Sequence, residues 1–360
     1  VLNLSQNGCS VWVASSTQLA LTPTAVALGK FDGVHLGHHR VIQPVLHAGG
    51  QLSQGGAQSF VSIQQSNENQ QLTTEQGRLT NKEHTYSTVV TFHPHPQEFF
   101  TGQPRALLTP LDEKVEKLRS LGVEQLVLLP FDKELSALSP EEFVEKILVQ
   151  QLQCRRISVG QDFCFGKQRR GTARDLQLLA SKYDIPVTIV PLQTYTDTAP
   201  TQEIPISTSL IRHSLESGDI KNANLLLGCP YTLIGVVVQG QQLGKTLGFP
   251  TANLQLPKDK FIPRQGVYAV RVEILSQTPD STVAQNLGVM NIGNRPTVNG
   301  TGLSVEVHLF DWSADLYGQK LAVQLVEFLR PEQKFPSLEA LKTQIQLDCT
   351  VARKILSAEC

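Results

Sequence analysis

Charge of either sign is nearly absent in excess: 31 Lys and Arg stand against 32 Asp and Glu, a formal net of -1. That disfavours a protein whose affinity rests on a basic face, and equally a polybasic membrane anchor. Neither nucleic acid nor a membrane is expected as a partner. No apolar run approaches the ~18 residues a spanning helix needs; Leu233–Val238 and Leu126–Leu129 are strand-sized. The six cysteines, Cys9, Cys154, Cys164, Cys229, Cys349 and Cys360, form no C-x-x-C pair. A zinc site and a disulfide framework are thereby disfavoured, and a reduced, soluble, cytoplasmic chain is expected. Residues 1–29 carry no charged side chain, yet they lack the basic start and continuous apolar core of a signal peptide. The chain does not begin with Met, so a few residues are expected to precede it. Aromatics are sparse at 6%, but the hydrophobic fraction of 40% suffices for sizeable cores. At ~150 residues per domain, 360 residues imply two or three domains.

Short apolar runs alternate with helix-length segments over the first two-thirds. Strands are predicted at Thr24–Leu28, Thr88–Phe92, Leu126–Leu129, Ile157–Val159 and Pro186–Pro191. Helices are predicted from His35 toward His47, over Leu111–Leu121, from the Ser139-Pro140-Glu141-Glu142 start, and around Asp175–Lys182. Strands separated by helices indicate a doubly wound parallel sheet. Between the first helix and the second strand, residues 49–87 are rich in Gln, Asn, Ser and Gly, and are expected to form a surface insertion. After Gly228-Cys229-Pro230 the pattern becomes a series of short strands punctuated by Gly, Pro, Asn and Asp, then a helix over Leu338–Ile355. A closed or nearly closed antiparallel barrel is predicted there, with the boundary at Gly228–Tyr231.

The run Gly29-Lys30-Phe31-Asp32-Gly33-Val34-His35-Leu36-Gly37-His38 follows a strand and opens a helix, which is where open parallel sheets bind ligands. Its glycines let a phosphate approach the backbone. His35 and His38, three apart, share a helix face and can donate to a phosphoryl oxygen as it gains charge. Alone, H-x-x-H occurs on many helices that bind nothing. A second cluster, Ser207-Thr208-Ser209-Leu210-Ile211-Arg212, would serve as a plain N-cap but for its arginine. Hydroxyls, amides and a guanidinium together make a polyphosphate clamp. H-x-G-H early and S/T-S/T-S/T-x-I-R late are the paired signatures of the HxGH nucleotidyltransferase superfamily. Thr91-Phe92-His93-Pro94-His95-Pro96 and Gly160-Gln161-Asp162-Phe163-Cys164-Phe165-Gly166 end two other strands, so both are predicted at the same sheet edge. Their aromatics, with Asp162, could hold a flat ring and its polar rim.

In the second part, Gly240–Thr246 tempts a P-loop assignment, but the spacing is short and no helix follows the lysine. Pro250-Thr251-Ala252-Asn253 offers a hydroxyl and an amide oxygen of the kind Mg²⁺ accepts. On the predicted strand Ser304–Phe310, Glu306 and His308 share one face. A carboxylate there could take the proton of an attacking alcohol.

These segments resemble the bacterial bifunctional riboflavin kinase/FAD synthetase family. The first part is similar to its FMN adenylyltransferase module: G-x-F-D-G-V-H-x-G-H stands at 29–38, P-H-P at 94–96, G-x-(N/D)-F-x-F-G at 160–166, and the hydroxyl–arginine motif at 207–212. The second resembles the riboflavin kinase module, with G-(K/R)-x-L-G-F-P-T-A-N at 244–253, G-V-Y at 266–268, N-I-G-x-R-P-T at 291–297, E-x-H-L-F-D at 306–311, D-L-Y-G at 315–318 and F-L-R-P-E-x-K-F at 328–335. The resemblance implies residues 1–229 for adenylyl transfer and 230–360 for the kinase. It implies Mg²⁺, ATP as substrate, and riboflavin, FMN and FAD as substrates or products. By it, ATP in the first part meets Gly29, Phe31, Asp32, His35, Gly37, His38, Ser207, Thr208, Ser209 and Arg212, with His35, His38 and Arg212 steadying the α-phosphate. The flavin there meets His95, Asp162, Phe163, Phe165 and Gly166. In the second part Gly244, Lys245, Gly248, Pro250, Thr251 and Asn253 hold nucleotide, Thr251 and Asn253 hold Mg²⁺, Glu306 is the base, and Glu306 and Arg330 lie beside flavin. Lys245 replaces a frequent arginine, keeping charge without the bidentate fork. Two alternatives stay open at this level: an adenylyltransferase with a pantetheine or nicotinamide phosphate as acceptor, and a flavin-sensing binding protein. Assembly, including a homo-oligomer, is left open too.

Overall fold

The computed structural model describes residues 2–6, 9–46, 84–196, 203–240, 244, 247–275, 285–297 and 300–358. The elements run β1 (Leu2–Gln6), β2 (Cys9–Ala14), β3 (Thr24–Leu28), α1 (Leu36–Ile42), β4 (Tyr86–His93), α2 (Pro96–Thr101), α3 (Leu111–Ser120), β5 (Gln125–Pro130), α4 (Lys133–Ala137) and α5 (Pro140–Glu142). Next come β6 (Cys154–Gly160), β7 (Cys164–Phe165), β8 (Gly171–Thr172), α6 (Ala173–Ser181), β9 (Val187–Val190), β10 (Thr194–Thr196), β11 (Glu203–Pro205), α7 (Thr208–Ser217) and α8 (Ile220–Leu227). The second part holds β12 (Thr232–Val238), β13 (Ala252–Gln255), β14 (Gly266–Leu275), β15 (Gln285–Thr297), β16 (Gly300–Leu309), β17 (Lys320–Arg330) and α9 (Leu338–Ala358).

The main sheet has the order β1-β2-β5-β4-β3-β6-β9, and every pairing except β1 with β2 is parallel. All five residues of β3 are buried, as a central parallel strand covered on both faces requires. The expected strands of the first part are all present. The β1–β2 hairpin is an addition at the edge. The helix expected from His35 toward His47 ends sooner: α1 stops at Ile42 and a 3₁₀ turn covers Gln43–Val45. At Ser139 the expected start is a capping box in which Ser139 accepts from the Glu142 N–H and Glu142 accepts from the Ser139 N–H. From Phe143 to Gln151 that helix continues with π geometry. Of the polar insertion expected over 49–87, residues 49–83 lie outside the described residues, and β4 begins at Tyr86, inside that range.

Strands β12-β13-β16-β15-β14-β17 close a barrel. Alternate residues such as Val270, Met290, Val305 and Val307 fill its interior. Helix α9 covers part of the outer wall, packing Ala352 and Leu356 on Val267, Ala269, Val289 and Val326. The core does not stop at the Gly228–Tyr231 junction. Helices α7 and α8 bury Ile211, Leu215, Ala223 and Leu226 in the same cluster as Leu233, Phe261 and Leu325 of the barrel. Polar ties reinforce the seam: Asn224 Nδ2 donates to Leu325 O at 2.8 Å, and Lys260 Nζ meets Glu113 of α3 at 2.5 Å with both side chains buried. Burial pulls the Lys260 ammonium downward in pKa, and Glu113 opposes that shift.

Candidate active sites

Because the sheet is parallel, the loops after β3, β4 and β6 emerge at one edge, with β3 between the other two. The loop after β3 is a contorted turn: Phe31, Gly33 and Val34 all have left-handed φ, 46°, 91° and 44°. For Val34, a β-branched residue, that conformation is costly and is held by its surroundings. Asp32 supplies much of the hold. Its Oδ1 accepts the backbone N–H of Leu108 at 2.7 Å and, more weakly, of Thr109 at 3.4 Å. The Gly33 N–H donates to Thr109 Oγ1 at 3.0 Å.

The turn delivers the two histidines face to face, their rings stacked with centroids 3.7 Å apart. Gly37 makes room, since a Cβ there would lie 3.1 Å from His35 Cε1. Neither His35 Nδ1 nor His38 Nδ1 has a hydrogen-bond partner, although both are buried. Burial, with the neighbouring His39, lowers the His35 pKa to about 4. Burial and His35 push His38 well down too. Both rings are therefore neutral near pH 7, and each carries one N–H that can donate without adding charge.

Arg212 on α7 comes to the same place. Its Nη2 donates to Asp32 Oδ2 at 2.7 Å and to Ala106 O at 2.5 Å, while its buried Nε has no partner. Of the hydroxyls before it, Ser207 caps α7 by accepting from the Leu210 N–H, Thr208 donates to Asp32 O at 3.2 Å, and Ser209 is exposed. The sequence placed all of these together, and so does the fold. It also adds three cations that were not among the expected site residues, one of them, Lys30, at the variable position of the 29–38 motif. Lys30, Arg105 and Lys114 line a cleft of ≈ 240 Å³ with Asp32, His93, His95 and Asp259.

His95 caps α2, its Nδ1 accepting from the Gln97 N–H at 3.1 Å, and burial together with Arg105 lowers its pKa to about 4. Asp162 is exposed on the β6 loop and acts electrostatically on Lys30, so that loop faces the same cleft. Phe163 and Phe165 lie parallel, centroids 5.8 Å apart, but differ in role. Phe165 is buried against Phe143 in the core, and Phe163 is only partly covered. Gly166 turns the chain with φ 69° against Pro140.

The second cluster sits on the outer wall of the barrel. Asn253 of β13 and Asn291 of β15 both stand opposite Glu306 of β16, so the three form one row. Glu306 accepts from Ser304 Oγ at 2.9 Å and from Thr251 Oγ1 at 3.4 Å. His308 Nδ1 lies 2.9 Å from Pro250 O and holds the preceding loop to the wall. Gly244 accepts from the Phe249 N–H at 2.8 Å, bending that loop over Thr251, and Gly248 is exposed at its turn. Lys245 lies outside the described residues. Arg330, expected beside flavin, is tied to the C-terminal helix. Its Nε and Nη2 grip the Asp348 carboxylate of α9 at 2.8–3.1 Å, and Nη1 donates to Pro331 O. The guanidinium thus fastens α9 to the barrel. Among the described residues no group of three His, Cys, Asp or Glu side chains could hold a metal.

Comparison with known proteins assigns both halves. A FAD synthetase family model matches residues 17–63 and 69–202, and a riboflavin kinase model matches residues 227–356. The bifunctional riboflavin kinase/FMN adenylyltransferase of Escherichia coli strain K12 is 36% identical over 330 residues, covering 91% of each chain. The Bacillus subtilis protein of the same description is 33% identical over 330 residues, covering 90% of each. Among solved structures, a Streptococcus pneumoniae protein described as a macrolide-efflux protein superposes with TM-score 0.73 at 27% identity, over 95% of this chain and 98% of its own. No helix among the described residues is long and apolar enough to cross a membrane. With a family model on each part and relatives above 30% identity along nine-tenths of its length, the chain belongs to the bifunctional riboflavin kinase/FMN adenylyltransferase family.

Proposed function

We propose that the family's two reactions are divided between the two clusters, residues 1–229 carrying adenylyl transfer and residues 230–360 the kinase. Riboflavin is phosphorylated at its 5′-hydroxyl by Mg·ATP, giving FMN and ADP; FMN then takes AMP from a second ATP, giving FAD and pyrophosphate. The difference in chemistry between the clusters carries this reading. The first offers buried nitrogens without partners, at His35, His38 and Arg212. The second gathers hydroxyl oxygens around one carboxylate, at Thr251, Ser304 and Glu306, with the Asn253 and Asn291 amides in the same row.

Buried polar atoms normally have partners, and orphans call for a ligand. Phosphoryl oxygens of ATP complete the three nitrogens, and neutral imidazole N–H groups with a guanidinium steady the charge that grows on the α-phosphate. FMN attacks with a phosphate oxygen that is already anionic, so no protein base is required. His95, Asp162 and the open face of Phe163 hold the flavin, while Phe165 and Gly166 shape the loop that presents them.

In the barrel, the donor set suits Mg²⁺, a hard cation that keeps waters and substrate phosphates in its shell. The Thr251 hydroxyl and the Asn253 amide oxygen would hold it. Bound there, the ion neutralises charge on the transferring phosphate. Thr251 donates its proton to Glu306, which leaves its lone pairs free for a cation. Glu306 accepts the proton of the riboflavin 5′-hydroxyl as it attacks the γ-phosphate. Both reactions run in the cytoplasm, where scattered thiols stay reduced.

The test is chromatography of products from riboflavin and Mg·ATP, with Glu306→Gln beside the parent. FMN formation should fall ~10²- to 10⁴-fold, the usual worth of a general base. FAD formation from supplied FMN should persist. Equal loss of both products refutes the division of labour.

A further inference from the structure

Arg212 belongs to the first domain, yet one of its faces is furnished by the second. The Phe261 ring of the barrel lies 4.6 Å from the guanidinium carbon. The other sides are fixed by Asp32 Oδ2 and Ala106 O. The barrel run around Phe261 reaches further into the site. Asp259 lines the same cleft as Asp32 and His95. Asp259 O accepts the Leu107 N–H at 2.6 Å, the Phe261 N–H donates to Leu107 O at 2.8 Å, and Lys260 Nζ donates to Leu108 O at 2.9 Å. The strip from Ala106 to Thr109 is thus held on one side by the barrel and on the other by Asp32 and Gly33.

We propose that Phe261 of the kinase barrel is a positioning residue for adenylyl transfer: its ring fixes the plane of Arg212 while Asp32 fixes the edge. A cation is attracted to an aromatic face, and a guanidinium lies flat on one. With the plane set from below and one edge tied to Asp32, the unpartnered Nε of Arg212 keeps a single direction. Without the ring the guanidinium can tilt about the Asp32 contact, and its Nε no longer meets a phosphoryl oxygen at one fixed place. The proposal rests on the role assigned above to Arg212.

The experiment uses the full chain and reads both reactions from one preparation. Phe261→Leu fills much of the apolar volume and keeps the backbone bonds to Leu107, removing only the aromatic face. Expected is a fall of ~10- to 100-fold in kcat for FAD formation from FMN, the scale of a misplaced catalytic group, with KM for FMN and the riboflavin kinase rate within twofold of the parent. Phe261→Tyr should restore FAD formation, because it returns the ring. Should Phe261→Leu not fold, Phe261→Met takes its place with the same expectations. FAD formation within twofold of the parent in these variants, while Arg212→Lys is impaired, overturns the proposal. So does a parallel loss of both activities that Phe261→Tyr does not repair. If Arg212→Lys itself makes FAD at the parent rate, the reading of the first site fails and this inference falls with it.

Discussion

Gly240 follows the end of β12, half-buried and with an ordinary φ. A Cβ built there stands 2.2 Å from Asn253 Nδ2 and 2.5 Å from its Cγ. Ordinary contact distance is about 3.5 Å, so in Gly240→Ala the Asn253 amide must retreat by about 1 Å or rotate away from the Glu306 row. A displacement of that size in a positioning group costs roughly 10²-fold, or about 2.7 kcal/mol of transition-state stabilisation. The kcat/KM of FMN formation with respect to Mg·ATP should therefore drop about 100-fold. FAD formation from FMN should be untouched. Asn253→Ala supplies the control. If the methyl acts through Asn253, adding it to Asn253→Ala causes no further loss, since coupled positions are not additive. A Gly240→Ala enzyme with parental kinase kinetics, or a double variant whose losses multiply, would refute the reasoning.

Two further outcomes follow from packing and charge. A barrel fragment beginning at Ile206, which keeps α7 and α8, should melt at least ~3 °C above one beginning at Pro230, because the shared core is worth more than ~1 kcal/mol; thermal scans with equal midpoints would contradict this. His35 gives a pH dependence. Its folded pKa of about 4 lies below the ordinary 6.5, so the unfolded chain takes up a proton between those values that the folded chain refuses. Its contribution is intact above pH 6.5, is lost as pH falls toward 4, and amounts to about 1.4 kcal/mol of lost stability at pH 5.5. In urea unfolding followed through Trp12 in a Trp312→Phe background, the loss between pH 7 and 5.5 should be smaller in His35→Gln by that amount, the remainder coming from His38 and His95; matching slopes for the two would count against a neutral buried ring.

The central strands were legible because Thr24–Leu28 and its neighbours are continuous β-branched and aliphatic runs, which is what burial on both sheet faces demands. The hairpin of β1 and β2 was not read, although Val11-Trp12-Val13 carries a strand signal. Periodicity reported that α7 and α8 have an apolar face but not which wall covers it; only the fold shows that Leu233 and Phe261 do. The site splits along the same line. His35, His38, Arg212, Thr251 and Glu306 sit in compact motifs and were picked out together. Arg105 and Lys114 come from segments outside those motifs, and Lys30 stands at a position of the 29–38 motif that any residue can fill, so nothing local marks them as cations that folding brings to the cleft. Arg330 shows the converse limit: its motif implied a flavin contact but gave no sign of the ion pair with Asp348, eighteen positions on.

Synthesis proceeds from the N-terminus, so α7 and α8 leave the ribosome before the wall they lean on exists. About 130 further residues must be made, which at ~5–20 residues per second takes on the order of ten seconds. During that interval the greasy undersides of the two helices, with Ile211, Leu215 and Leu226, have first-half neighbours such as Leu108 and Ile206 but lack the barrel part of their cover. The two catalysts are therefore bound together in time as well as in space: the nascent first half waits, unfinished, for the second to be translated.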